Sequence, residues 1–135
     1  MSKHLKQLLV AGLMLAATGS AAGAAEIKVG SVGAVTGPIA ELVATIMASR
    51  SHAADHVNAQ GGLLDGQTMT LIVADSQCDP KAGVDAGGKM VNVEQVVAII
   101  GPNCSGATNA MVQAVTIPAG VVVVSDTATD PAISD

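Results

Sequence analysis

Short apolar segments and amphipathic segments alternate along the chain from Ile27 onwards, and turn residues separate them. The apolar segments are rich in Val and Ile, as buried strands are. The amphipathic segments repeat their apolar residues at helical spacing. Because strict alternation of strands and helices is typical of a parallel sheet with crossover helices, the pattern predicts an α/β fold.

The predicted elements are four strands and three helices. The strands cover residues 27–35, 68–74, 96–100 and 121–124, and the helices run over 38–60, 80–91 and 105–115. Pro38 suits a first helical position, Asp79 suits a helix cap, and Gly61 and Gly62 end the first helix. The last strand is four valines without polar alternation, which predicts a parallel strand covered on both faces.

The second predicted helix contains Gly83, Gly87 and Gly88. Each glycine in a helix interior costs about 0.5 to 1 kcal/mol relative to alanine. The pattern therefore predicts a weak helix, and the sequence offers no functional reason for these glycines.

The first 25 residues have the organisation of a secretory signal peptide. Lys3 and Lys6 precede an apolar run at 8–17, and a small-residue stretch at 21–25 contains an A-x-A pattern. We expect cleavage near Ala25, which leaves residues 26–135 as an exported domain in a compartment where disulfides persist. The chain contains no run of 18 apolar residues, so we do not expect it to be embedded in a membrane.

Composition excludes several classes of partner and cofactor. The 135 residues suffice for one domain at most, their net charge is −5, and they include no Phe, Tyr or Trp. The acidity disfavours nucleic acid and anionic membranes, and the lack of stacking platforms argues against bases and haem. Gly30, Gly33 and Gly37 do not form a G-x-G-x-x-G fingerprint, so Asp75 is not expected to bind a ribose. We expect no cofactor.

Metal binding and catalysis also lack a suitable pattern. His52 and His56 are spaced to chelate a metal, but they fall opposite the apolar stripe of their helix, which favours a solvated face. Zinc would require more ligands than Cys78 and Cys104 provide, and a nucleophilic cysteine would require a nearby histidine. No G-x-S-x-G, H-E-x-x-H or paired-carboxylate pattern occurs, so binding is favoured over an exported α/β enzyme.

Polar residues collect in the loops after strands one, three and four, at 35–38, 101–106 and 125–129. In parallel α/β sheets the ligand site lies at the carboxyl ends of the strands. Ser105 begins a helix and could hold a carboxylate, while Thr127 and Thr129 offer hydroxyls and carbonyls to an ammonium group. The pattern equally allows a plain N-cap at Ser105 and a plain turn at 125–129.

Five segments carry a resemblance to a known family. IKVGSVGAVTGP, HVNAQGGLLDGQ, DSQCDPKAGVDAGGKMVN, AIIGPNCSGAT and SDTATDPAIS resemble the N-terminal part of periplasmic branched-chain amino-acid binding proteins, the substrate-binding components of ABC transporters. The paired CDPK and CSGAT motifs are the most specific. The resemblance implies a type I periplasmic binding protein whose two lobes close on an amino acid, which is delivered to a membrane permease without catalysis. A ligand-sensing receptor ectodomain is a variant of this function.

The resemblance also implies roles for individual residues. The carboxylate-holding serine of the family falls on Ser105. The ammonium-contacting loop falls on Thr127, through its backbone carbonyl, and on Thr129, through its hydroxyl and amide. The family pairs the positions of Cys78 and Cys104 in a disulfide.

The chain departs from the family at three points. Asp126 stands where the family usually has proline, and we expect it to solvate the loop rather than to pair with a ligand ammonium. Leu42 replaces an aromatic residue often found after the first Gly-Pro. Family members are roughly three times as long, so residues 26–135 are expected to be an incomplete first lobe, a fragment of a binding protein.

Overall fold

The structure, a computed structural model, describes residues 25–133, so residues 1–24 of the predicted signal peptide lie outside the described part. Four parallel strands form one sheet in the order β2-β1-β3-β4. The strands are β1 (Glu26–Gly33), β2 (Thr68–Asp75), β3 (Ala98–Ile100) and β4 (Val122–Val124). The predicted α/β fold with a parallel sheet is confirmed.

The register brings the carboxyl ends of the strands to one edge. Ser31 of β1 is paired with Ile100 of β3, and Ile100 with Val124 of β4. On the other side of β1, the final pair is Gly33 with Asp75. The loops that follow all four strands therefore leave the sheet side by side.

The strands are connected by three helical segments. They are α1 (Ala40–Ala59), α2 (Pro80–Lys89) with a π-helical turn at Met90–Glu94, and α3 (Ser105–Met111) with a π-helical turn at Val112–Thr116 and a final turn at Ile117–Ala119. A 3-10 turn follows at Pro131–Ile133. The second and third helical segments thus extend beyond their predicted ends.

Local sequence explains most of the helix boundaries. The Asp79 carboxylate accepts a hydrogen bond from the Ala82 amide at 2.9 Å and caps α2 as predicted. α1 begins two residues later than predicted, because the left-handed Gly37 is followed by a turn at residues 38–39. It ends where Gly62 donates its amide to the Val57 carbonyl at 3.0 Å.

The main core lies between the sheet and the helices α2 and α3. Its buried residues are Val32, Ala86, Met90, Val96, Ile99 and Met111. Alternate residues of β1 face the opposite side, where Ser31 and Gly33 lie against α1 near Met47. α1 therefore covers one face of the sheet at β1 and β2, and α2 and α3 cover the other face.

The glycines of α2 have a packing role that the sequence did not reveal. A Cβ atom at Gly83 would lie 2.9 Å from the Ala107 carbonyl oxygen, and one at Gly87 would lie 2.5 Å from Cγ of Met111. Both glycines are buried against α3. A Cβ atom at Gly88 would meet nothing within 4 Å. Two of the three glycines therefore allow close packing of α2 on α3, which offsets their low helix propensity.

We predict opposite effects of alanine at Gly83 and at Gly88. Gly83→Ala forces a methyl group against the backbone of α3 and is expected to lower the free energy of unfolding by about 1 to 3 kcal/mol. Gly88→Ala only gains helix propensity and is expected to raise it by about 0.5 to 1 kcal/mol. Urea unfolding followed by circular dichroism compares both variants with the parent. Equal stability of the two variants would contradict the packing role.

The prediction that the last strand is covered on both faces is wrong for the described residues. Val121 and Val123 pack against the core, whereas Val122 and Val124 are 64% and 62% exposed. α1 packs mainly on β1 and β2. Among residues 25–133, the α1 side of β4 therefore has no helix over it.

Candidate ligand site at the carboxyl edge of the sheet

The buried side chain of Asn103 joins the three loops that the sequence singled out. Its Oδ1 accepts a hydrogen bond from the Ala34 amide at 3.3 Å, in the loop after β1. Its Nδ2 donates to Asp126 Oδ1 at 3.1 Å and to Thr127 Oγ1 at 3.3 Å, in the loop after β4. The loops therefore converge as expected. Asn103 itself was missed, because nothing in the sequence distinguishes it from the other polar residues of its loop.

Ser105 connects α3 to the loop after β4. It is the first residue of α3, and Cys104 occupies the cap position. The Ser105 hydroxyl oxygen accepts hydrogen bonds from the amides of Thr129 at 3.1 Å and Asp130 at 3.3 Å. The alternative of a plain N-cap is therefore wrong, and the structure brings Ser105 and Thr129 together.

The first turn of α3 presents backbone donors at the same place. The first amide with a helical acceptor is that of Thr108, which donates to the Cys104 carbonyl at 2.9 Å. The amides of Ser105, Gly106 and Ala107 precede it and have no helical carbonyl to bind. Their partial positive charge favours an anionic group next to Ser105.

The loop after β4 is a hydrogen-bonded turn that also carries Thr127. The Ser125 hydroxyl donates to the Pro102 carbonyl at 2.7 Å and accepts from the Ala128 amide at 3.0 Å. The Thr127 hydroxyl lies 3.0 Å from the Asn103 carbonyl oxygen. Residues 125–129 therefore form a turn, and this turn places Thr127 beside Asn103 and Thr129 beside Ser105.

Asp126 is paired with a buried arginine. Its Oδ2 accepts hydrogen bonds from Arg50 Nε at 2.9 Å and Nη2 at 2.8 Å. The Arg50 side chain, which comes from α1, is 5% exposed, and a buried guanidinium requires a counter-charge. The expectation that Asp126 merely solvates the loop is therefore wrong. Arg50 was also missed, although it lies seven residues after the buried Val43 and four before the buried Ala54, on the inner face of the helix.

Asp75 holds the loop after β1 to the end of β2. Its carboxylate accepts hydrogen bonds from the Thr36 hydroxyl at 2.5 Å, the Thr36 amide at 3.2 Å and the Gln77 amide at 2.9 Å. Partial burial by itself raises the pKa of Asp75, but these hydrogen bonds stabilise the carboxylate more, and the net pKa lies below its usual value. Asp75 is thus occupied in holding two loops together.

The two cysteines form a disulfide, the pairing that the family resemblance implies. Cys78 and Cys104 have their Cα atoms 5.3 Å apart. Cys78 lies in the loop after β2, where Gln77 and Cys78 both have left-handed backbone angles. The bond ties this loop to the residue directly before Ser105.

Three further residues lie away from these contacts. His52 and His56 are exposed on α1, and the described residues contain no group of three or more potential metal ligands. Leu42, in the first turn of α1, is 70% exposed beside a surface concavity of about 430 Å³ formed by residues 37–42. Across residues 25–133, no helix combines the length and apolar character needed to cross a membrane.

The parallel sheet and the loops at its carboxyl edge correspond to a known family of binding domains. The family model described as "Periplasmic binding protein" matches residues 26–134. The chain belongs to this family.

The chain is similar in sequence or structure to the following three proteins. The leucine-specific-binding protein of Salmonella typhimurium is 30% identical over 132 residues, which are 98% of this chain and 35% of that protein. The Leu/Ile/Val-binding protein of Escherichia coli is 35% identical over 100 residues, covering 74% and 27% of the two chains. The structure of a branched-chain amino-acid transporter substrate-binding protein of Streptococcus pneumoniae, solved with isoleucine, is similar to this chain with a TM-score of 0.73 and 30% identity. The similarity covers 78% of this chain and 30% of that protein. The chain spans about a third of the length of these relatives.

Proposed function

We propose that this chain is part of the first lobe of a two-lobed solute-binding protein that captures a branched-chain amino acid and delivers it to the permease of an ABC transporter. The main support for the proposal is the hydrogen bond from the Thr129 amide to the Ser105 hydroxyl oxygen at the start of α3. It places a hydroxyl, unpaired helix amides and a threonine-bearing loop at one point of the sheet edge, where parallel α/β proteins bind ligands. Two of the relatives above are named for the binding of leucine or of Leu, Ile and Val, and the third was solved with isoleucine, which supports an amino acid as the ligand.

Ser105 is suited to hold the ligand carboxylate. Its oxygen already accepts two amide hydrogens from the neighbouring loop, so its own proton remains to be donated. A carboxylate placed there would also meet the free amides at the start of α3. A hydrogen bond to a charged group is worth about 1.5 to 3 kcal/mol, which makes this contact a substantial part of the binding energy.

Thr127 and Thr129 are suited to hold the ammonium group. The Thr127 hydroxyl is engaged with Asn103, so the proposed contact is made by the Thr127 backbone carbonyl. The Thr129 amide donates to the Ser105 oxygen, so the amide contact that the resemblance implies is not available in this structure, and the proposed contact of Thr129 is made by its exposed hydroxyl. We place the amino acid between these groups, with its carboxylate at Ser105.

Calorimetric titration of leucine, isoleucine and valine tests the proposal. The protein used is the one encoded by the complete reading frame, with glutamate and lysine as control ligands. We expect saturable binding of the three apolar amino acids. If none of these amino acids binds, the proposal is overturned.

The extent of the lobe is part of the same proposal. The chain spans about a third of the length of the relatives, so we propose that the reading frame continues beyond codon 135 into the remainder of the first lobe and a second lobe. Sequencing the DNA that follows codon 135 tests this. A stop codon at position 136 would refute it.

We propose that the protein is periplasmic and that its signal peptide is removed near Ala25. The proposal rests on the basic, apolar and small-residue segments of residues 1–25 and on the family assignment. Intact-mass analysis of the exported protein is expected to show an N-terminus at or next to Glu26. A mass that includes residues 1–24 would refute the cleavage.

A further inference from the structure

We propose that the ion pair between Arg50 and Asp126 is a positioning device for the loop that contacts the ligand, and that Asp126 itself does not touch the ligand. This inference rests on the proposed function. Neither residue was assigned a role by the resemblance. The pair links α1 to the loop after β4 across 76 residues of sequence.

The carboxylate of Asp126 is occupied by protein donors. Oδ2 accepts two N–H groups from Arg50, at 2.9 Å and 2.8 Å. Oδ1 accepts from Asn103 Nδ2 at 3.1 Å and lies 3.3 Å from the Thr127 hydroxyl. A carboxylate has about four acceptor positions, so these contacts leave little capacity for a ligand ammonium.

Arg50 is in turn held by the sheet. Its Nη1 donates to the Val32 carbonyl at 3.0 Å and to the Ile100 carbonyl at 3.3 Å, near the ends of β1 and β3. A Cβ atom at Gly101 would clash first with the Val32 carbonyl oxygen and would also lie 3.1 Å from both Nη1 and Nη2 of Arg50, so glycine there leaves room for the β1 backbone and for the guanidinium. Gly101 also has a φ of 95°, which favours glycine. The position of Asp126 is therefore set by α1 and the two central strands.

The loop beyond Asp126 carries Thr127 and Thr129, and the Thr129 amide reaches Ser105 at 3.1 Å. Its geometry thus depends on where Asp126 is held. The ion pair supplies this constraint through side chains that belong to different elements of the fold. Because the two charges neutralise each other, the loop gains this constraint without adding net charge beside the ligand.

A double-mutant cycle tests the inference. Arg50→Met, Asp126→Asn and the double variant are compared in the protein encoded by the complete reading frame. Hydrogen exchange of the Thr129 and Asp130 amides is measured without ligand, and leucine affinity is measured by calorimetry. We expect each single change to speed exchange of both amides about tenfold and to weaken leucine binding about tenfold, with little further loss in the double variant.

Lys81→Met serves as the matched control. Lys81 forms an ion pair with Asp85 at 2.6 Å, but the two side chains are 84% and 64% exposed. Such a surface pair contributes little, so neither amide exchange nor affinity is expected to change.

Three outcomes would overturn the inference. Unchanged exchange in Asp126→Asn would show that the pair does not position the loop. Weaker leucine binding in Asp126→Asn, with normal binding in Arg50→Met, would make Asp126 a ligand contact. Additive losses in the double variant would show that the two residues act separately.

Two further results keep the test informative. If Arg50→Met does not fold, exchange in Asp126→Asn against Lys81→Met decides alone, because Asp126 is partly exposed. If the parent binds no amino acid, the proposed function fails. The exchange of ligand-free protein still reports on the ion pair in that case.

Discussion

Replacing Ser105 by alanine is expected to weaken leucine binding about tenfold to a hundredfold without unfolding the lobe. The change removes the hydroxyl that we propose donates to the ligand carboxylate, at about 1.5 to 3 kcal/mol for a bond to a charged group. It also removes the acceptor of the Thr129 and Asp130 amides. Calorimetric titration of leucine into the parent and the variant measures the effect.

Two further variants make this result specific to the proposed site. Thr129→Ala is expected to weaken leucine binding by a similar factor, because it removes a proposed contact to the ammonium group. His52→Ala is expected to leave binding unchanged, because His52 is exposed on α1. If Ser105→Ala binds leucine as tightly as the parent, the site does not lie at the start of α3.

Loss of the disulfide is expected to lower the free energy of unfolding by roughly 3 kcal/mol. Cys78 and Cys104 are 26 residues apart in sequence, and cross-linking a loop of this length restricts the unfolded chain by about that amount in the chain-entropy model. Urea unfolding of the Cys78→Ala, Cys104→Ala double variant beside the oxidised parent measures the difference.

Chemical controls separate the disulfide from general effects of the substitutions. A reductant is expected to destabilise the parent and to leave the double variant unchanged. Thiol labelling of the exported, unfolded parent is expected to leave Cys78 and Cys104 unlabelled. Labelling of both cysteines, or equal stability of parent and variant, would contradict a stabilising disulfide.

Local sequence patterns determined the order of elements and the edge of the sheet at which the proposed site lies. The alternation of apolar and amphipathic segments depends only on neighbouring residues, since strand and helix periodicities are local properties of the backbone. The capping carboxylate of Asp79 acts on an amide three residues away and was predictable for the same reason. Parallel connectivity then required the polar loops after β1, β3 and β4 to meet at one edge. Ser105, Thr127 and Thr129 belong to these loops, and the family resemblance favoured a ligand-binding role for them over a plain N-cap and a plain turn.

Only the tertiary structure showed which residues these loops use to hold each other. Arg50 contacts Asp126 across 76 residues because α1 packs with its inner face on the carboxyl end of β1. Gly83 and Gly87 are unfavourable when α2 is considered alone. The close approach of α3 explains why these two positions need glycine. The valines of β4 divide into covered and exposed faces because α1 packs on β1 and β2 instead. Each of these features depends on how whole elements pack, and a periodicity read along one segment carries no information about its partner in space.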